Sequence, residues 1–375
     1  MNIHPQKEVF AVQVKVGKSL SSDVTNAVNE AVAGISNPVG IFFQSSFSQI
    51  EGVTEQLAEK FPDIPIIGTG ATTYYETEAT DKLLVVIAFE SGAVVKSGVL
   101  RYLSSSPLYD IMDLEKAVSD IRPGQTDTVC LEYCTNDEER LVTSMNVALE
   151  KAGVPLLGGT VFGTPAGQDS VVSVNGQIYK DACAWMLVKN TSGKIRTYSE
   201  NIYAVPANAR SHVATKVNLQ TKELISLDNR PAADVYSSEL GVPRGGIVDN
   251  VFKNPLGRIV GDDTYIISQY EVTSNGGFMN YKKVYENDTI CFLELLDYES
   301  INERTRDRIK SENPRISFVF SVNCIYRHLF FTKENYLKTF LGNMSRLGNH
   351  VGVVGGGEQY KKQHVNQTMV CAVFE

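Results

Sequence analysis

Two stretches of the chain carry one pattern of apolar and polar positions. Gly40-Ile41-Phe42-Phe43-Gln44-Ser45 and Thr128-Val129-Cys130-Leu131-Glu132-Tyr133 are near-continuous apolar runs, as strands buried on both faces require. Each leads into apolar residues at helical spacing: Ile50, Val53, Leu57 and Phe61 in the first, Leu141, Met145, Leu149 and Ala152 in the second. Ser48 with Glu51, and Thr135 with Glu138, read as capping boxes at the helix starts. A short strand then runs into glycines in both copies, Ile64-Pro65-Ile66-Ile67-Gly68-Thr69-Gly70 and Val154-Pro155-Leu156-Leu157-Gly158-Gly159-Thr160. Further strands close the pattern, Leu83 to Phe89 and Ala182 to Val188, the second after an Asn175-Gly176 hairpin turn. Residues 9–90 and 93–189 therefore read as one α/β element order used twice.

The rhythm changes after a seam at residues 190–212, and the boundary is placed at 212. A helix is predicted from Arg230-Pro231-Ala232 to Leu240-Gly241, then strands at 257–260, 265–268, 281–285 and 290–295. A charged helix over 298–311, a strand at 316–322, a helix over 333–347 and a strand at 368–374 complete the chain. The expected architecture is an internally duplicated α/β N-terminal domain, residues 1–212, followed by an α+β C-terminal domain, residues 213–375.

Charge narrows the function classes. A net charge of −8, with no basic tract, disfavours nucleic acid as a partner. The longest apolar run is far short of the ~20 residues that span a bilayer, and Met1 to Lys7 has no signal-peptide core, so a cytoplasmic protein without membrane insertion is expected. Six cysteines without CxxC spacing read as reduced thiols.

Three features stand out together: the two glycine-threonine turns, Arg230-Pro231-Ala232-Ala233-Asp234-Val235-Tyr236, and Cys324-Ile325-Tyr326-Arg327 followed by Gly357-Glu358 and Asn366-Gln367-Thr368. In their order and spacing the chain resembles the FIST sensory proteins over nearly its whole length. His328 stands where the family usually has glycine, and Val353-Val354-Gly355-Gly356 lacks its common aromatic residue. The resemblance implies a ligand-sensing module of prokaryotic signalling, with amino acids or related small metabolites as ligands. Without a fused transmitter, such a sensor reports by touching a signalling partner, such as a kinase or chemoreceptor, or a second copy of itself in a homodimer.

Two sets of residues are candidates for the ligand. Gly68, Thr69 and Gly70, with Gly158, Gly159 and Thr160, suggest one pocket between the two halves whose amides and hydroxyls hold an anion, or else simply permit tight strand exits. Neither copy matches GxGxxG or a P-loop, which disfavours a nucleotide. Cys324, Arg327, Glu358, Asn366 and Thr368 form the second set: the guanidinium suits a carboxylate and Glu358 an ammonium, unless Arg327 and Glu358 pair with each other. His328, His350 and His364 match no metal-ligand template, so neither a metal nor a cofactor is expected. The expected function is a non-enzymatic small-ligand sensor. The alternative is a thiol enzyme in which Cys324 is the nucleophile and Arg327 orients an anionic substrate.

Overall fold

A computed structural model describes residues 12–261 and 263–375. The N-terminal segment and the start of the first repeat lie outside the described residues. The two repeats form as the apolar pattern requires. The first unit comprises β1 (Val14–Ser19), α1 (Val24–Val32), β2 (Gly40–Ser45), α2 (Ile50–Lys60), β3 (Ile66–Gly70), the hairpin β4 (Thr73–Tyr75) and β5 (Glu78–Thr80), and β6 (Leu84–Phe89). The second repeats it with β7 (Ala93–Arg101), α3 (Ile111–Ile121), β8 (Thr128–Cys134), α4 (Glu138–Leu149), β9 (Leu156–Val161), the hairpin β10 (Val172–Val174) and β11 (Gln177–Tyr179), and β12 (Ala182–Asn190). Asn175 and Gly176 both have positive φ, as the predicted hairpin turn demands.

The same order occurs a third time. It starts at β13 (Ile195–Glu200), inside the seam that lacked a readable period, and an inserted unit follows at residues 201–297. It then resumes with α7 (Tyr298–Glu312), β24 (Phe318–Cys324), α8 (Ile325–Lys333), α9 (Leu337–Ser345), β25 (Asn349–Tyr360), β26 (Gln363–Val365) and β27 (Met369–Phe374). Strand orders are β1-β6-β2-β3, β7-β12-β8-β9 and β13-β27-β24-β25, and each places two antiparallel pairings before one parallel pairing. Each unit also lends a hairpin to a neighbour: β4 pairs with β25, β10 with β3, and the far end of β25 with β9. Three lendings in one rotational sense close a ring.

The ring has one apolar centre. Phe42, Leu131 and Phe320 occupy equivalent inward registers there, and Phe42 meets Tyr133 at 4.7 Å and Phe320 at 4.9 Å between ring centroids. The helices cover the outer faces, with separate clusters under α1 and α2, under α3 and α4, and under α7 to α9. The inserted unit is a mainly antiparallel sheet with its own core, built around Leu224, Tyr236, Phe278 and Phe292. Its two connections to the ring lie side by side: Tyr203 pairs with Leu295, and the Leu296 amide donates to the Ile202 carbonyl.

The glycines of the two turns lie buried inside strands, Gly68, Gly158 and Gly159 paired on both sides and Gly70 on one, so they are not open anion nests. Their role is steric. A side chain at Gly68 would strike Phe43, one at Gly158 would strike Glu132, and one at the third equivalent, Gly352, would strike Ser321. Gly158→Ala is expected to lower stability by about 1–3 kcal/mol through overpacking, whereas Gly34→Ala, at a site with open space, stays near neutral in urea denaturation.

Several local expectations are corrected. Neither capping box forms: the helices begin after Gln49 and Asp137 without side-chain caps. Thr135 Oγ1 instead accepts from the Ala182 amide at 2.9 Å, tying β8 to β12. The helix predicted over 333–347 shortens to α9, Leu337–Ser345, and α8, which starts directly at Ile325, precedes it with Asn335 at positive φ between them. Residues 281–285 are not a strand; the strand is Phe278–Asn280. Gly355, Gly356 and Gly357 belong to β25, where close approach of Thr160 and Val322 leaves no room for side chains at 355.

Candidate functional site

The sharp passage from β24 into α8 fixes the position of Arg327. Cys324 ends the strand and also caps the helix, so Arg327 falls in the first turn and is buried beneath β13. Its guanidinium pairs with Glu200, the last residue of β13, rather than with Glu358. Asn302 Nδ2 donates to the same carboxylate at 2.6 Å. The guanidinium also lies 4.6 Å from the Phe331 ring centroid and 5.3 Å from that of Phe340. Arg327 Nε and Nη1 remain buried without partners.

Glu358 accepts from Thr368 Oγ1 at 2.5 Å and from the Thr368 amide at 3.3 Å, while its Oε1 has no partner. Burial lifts its carboxyl to about 8. Burial and then the Glu358 charge push the Cys324 thiol well above its ordinary value, which is the reverse of what a thiolate nucleophile needs. Asn366 donates to the Val365 carbonyl at 3.2 Å and leaves its Oδ1 unpaired. His328 Nδ1 meets the Tyr74 hydroxyl at 2.8 Å, so the departure from glycine ties the first unit's hairpin to the third unit.

The second glycine turn joins this cluster and the first does not. Gly159 lies opposite Glu358 in the ladder. Thr160 Oγ1 accepts from Gln359 Nε2 at 3.2 Å and faces Glu138 Oε1 at 3.4 Å. Thr69, by contrast, donates to the Val171 carbonyl at 2.8 Å, and Gly70 sits against Phe47. The shared pocket expected between the two turns is not formed, because the two face different neighbours.

From Thr160 a polar chain leads outward to the insert. Gln359 Nε2 meets His364 Nδ1 at 2.9 Å, and the His364 carbonyl accepts from the buried ammonium of Lys282. Glu138 pairs with Lys222 at 3.3 Å, and Lys222 also donates to the Tyr281 carbonyl at 2.9 Å. Burial, then the Arg258 charge, draws Lys282 down to about 7, and burial draws His364 to about 4. Glu139 accepts from the Lys283 amide at 2.9 Å and keeps Oε2 buried without a partner. Burial opposes its ionisation, but the charge of His364 when protonated, the Lys283 amide and the Lys222 charge outweigh burial and hold it below its ordinary value. The chain ends at a cleft of about 990 Å³ between the start of α4 and the insert, with Asp137, Glu139 and Arg140 on one wall and Lys222, Lys283 and Tyr285 on the other.

Sequence reasoning passed over the residues of this cleft. Glu138 and Glu139 look like ordinary favourable charge at a helix start, and their lysine partners lie in another unit. Among the described residues no group of histidines, cysteines and acids is arranged to hold a metal ion. Nor is any helix among them long and apolar enough to cross a membrane.

A ring of three α/β units with an insert clamped onto it by a buried polar chain defines a two-part architecture. The chain belongs to the FIST family: the FIST N domain model matches residues 38–230 and the FIST C domain model residues 232–361, and these are sensory, signal-transduction domains. No curated protein matches it. Among solved structures it is similar to one described as "Cyanuric acid hydrolase: evolutionary innovation by structural concatenation", 9% identical with a TM-score of 0.39, over 98% of this chain and 100% of the other. At that similarity no activity carries across.

Proposed function

We propose that the protein is a sensor whose ligand, an amino acid or a related small metabolite, binds in the cleft between the second unit and the insert. The observation that carries this reading is the buried, unpartnered Oε2 of an ionised Glu139 on the wall that faces Lys222 and Lys283. An ammonium group satisfies that oxygen, and a carboxylate suits the lysines and Arg140 across the cleft. Thr160, Glu358, Asn366, Thr368 and Arg327 then serve as the inner end of the polar chain and hold the shape of the site. The first glycine turn, Gly68 to Gly70, has no part in it.

A ligand that competes for Lys222 loosens its bond to Glu138, and the insert shifts against the ring. A partner such as a kinase or chemoreceptor, or a second copy, reads that shift. Six buried free thiols fit work in a reducing compartment, the cytoplasm. Calorimetry against a panel of amino acids is expected to find a binder that Glu139→Gln abolishes and Lys222→Met weakens. Heat from no member of the panel, or a Glu139→Gln variant that binds like the parent, ends this reading.

A further inference from the structure

The groove beside Trp185 holds a buried donor that the mechanism above does not use. Trp185 on β12 lies opposite Gly98 on β7. A side chain at 98 would strike indole Cζ2 and Cε2, and Cε2 is bonded to Nε1. The missing side chain opens the indole edge toward a groove of about 520 Å³ lined by both residues. Trp185 is 2% exposed, and its Nε1 has no partner. Because β7 is an edge strand and its Arg101 amide turns outward to Asp110 Oδ2 at 2.9 Å, the alternate amides of Ser97 and Val99 share that outward edge and line the same groove.

The other two units lack this arrangement. At the equivalent register Gly17 is pressed against the Ala31 carbonyl of α1, opposite Val86. In the third unit Tyr198 stands there opposite Cys371, and Tyr360 closes the neighbouring space by donating to the Thr197 carbonyl at 3.1 Å.

We propose that this groove is a second ligand site, taking a small molecule that carries one carboxylate. An indole N–H can only donate, so its partner is an acceptor oxygen. Lys96 and Lys116 line the groove and supply positive charge to that oxygen, while Asp113 and Asp120 select against a second negative charge. The site stands apart from the cleft at Glu139 and rests on separate observations.

Trp185 is the sole tryptophan of the chain, so its emission reports on the groove directly. Titration with propionate, L-alanine, succinate and ethylamine tests the idea. Propionate or L-alanine is expected to give a saturable change, succinate to bind about tenfold more weakly or worse, and ethylamine to give none. Binding of alanine alone identifies the ligand as a zwitterion, and binding of both as a simple carboxylate; either supports the site. The absence of a saturable change with every carboxylate, or an equal response to ethylamine, overturns it. Trp185→Phe removes the orphaned N–H and keeps an aromatic side chain in the core, so it is expected to fold like the parent and to lose the calorimetric signal of the binding probe. Parent-like binding by that variant also overturns the proposal. Glu139→Gln leaves the Trp185 response unchanged, which separates a failure here from a failure of the interdomain reading.

Discussion

Glu200→Ala is expected to cost the folded state about 3–5 kcal/mol, the largest loss of any single polar substitution in the ring. The reason lies in what stays behind. Arg327 is 1% exposed and already has Nε and Nη1 without partners, so among the described residues the carboxylate of Glu200 is its one ion-pair partner. Taking that carboxylate away leaves a cation among Phe331 and Phe340 with no counter-charge. Asn302 loses its acceptor at the same time. Urea denaturation measures the loss, and the double variant Glu200→Ala with Arg327→Met is expected to recover much of it, because the apolar replacement removes the stranded charge. A single variant as stable as the parent would mean that water reaches the guanidinium.

Glu132→Gln is expected to stabilise the protein increasingly as pH rises. Glu132 sits fully buried against Gly158 with Cys183 Sγ at 3.5 Å, and burial lifts its carboxyl to about 8 from an ordinary 4.5. In that window the folded chain keeps a proton that the unfolded chain has released. The parent therefore loses stability with rising pH, by about 1.4 kcal/mol per pH unit for one proton. Glu358 contributes a slope of the same sign over the same range, whereas Lys282, lowered to about 7 from 10.5, contributes the opposite slope above about 7. Glutamine at 132 removes one proton from the balance. The stability difference between variant and parent, followed by urea denaturation from about pH 5 to about pH 8, should widen with pH. A difference independent of pH would place the Glu132 titration at its ordinary value.

Much of this architecture was legible in the amino-acid order, and what escaped did so for physical reasons. The first two units announce themselves because Ile66-Ile67-Gly68 and Leu156-Leu157-Gly158 solve one problem alike, an apolar strand with a gap for a side chain of the parallel neighbour. The third unit solves it with His350-Val351-Gly352, where His350 Nε2 meets the Ser321 hydroxyl at 2.8 Å beneath the helices. That polar substitution, and the insert between β13 and α7, hide the recurrence from a search for repeated apolar runs. Glu358 and Thr368 were recognisable as neighbours in chemistry, whereas Thr160 was assigned to a separate set. Their link to Lys222 and Lys282 was not legible, because side chains from the insert reach across the fold to make it. Arg327 has the right charge for a ligand, yet Glu200, at the end of an unrecognised strand, already claims it.

The adjacency of Ile202 and Leu296 gives the molecule a stem. The chain leaves the ring and returns to it at one spot, so a swing of the insert that releases Lys222, Lys282 and Lys283 from the ring breaks no hydrogen bond between the three units. Such a joint confines movement to a few torsions on either side of a short ladder. It also means that the insert can be exchanged whole with the ring beneath it left intact.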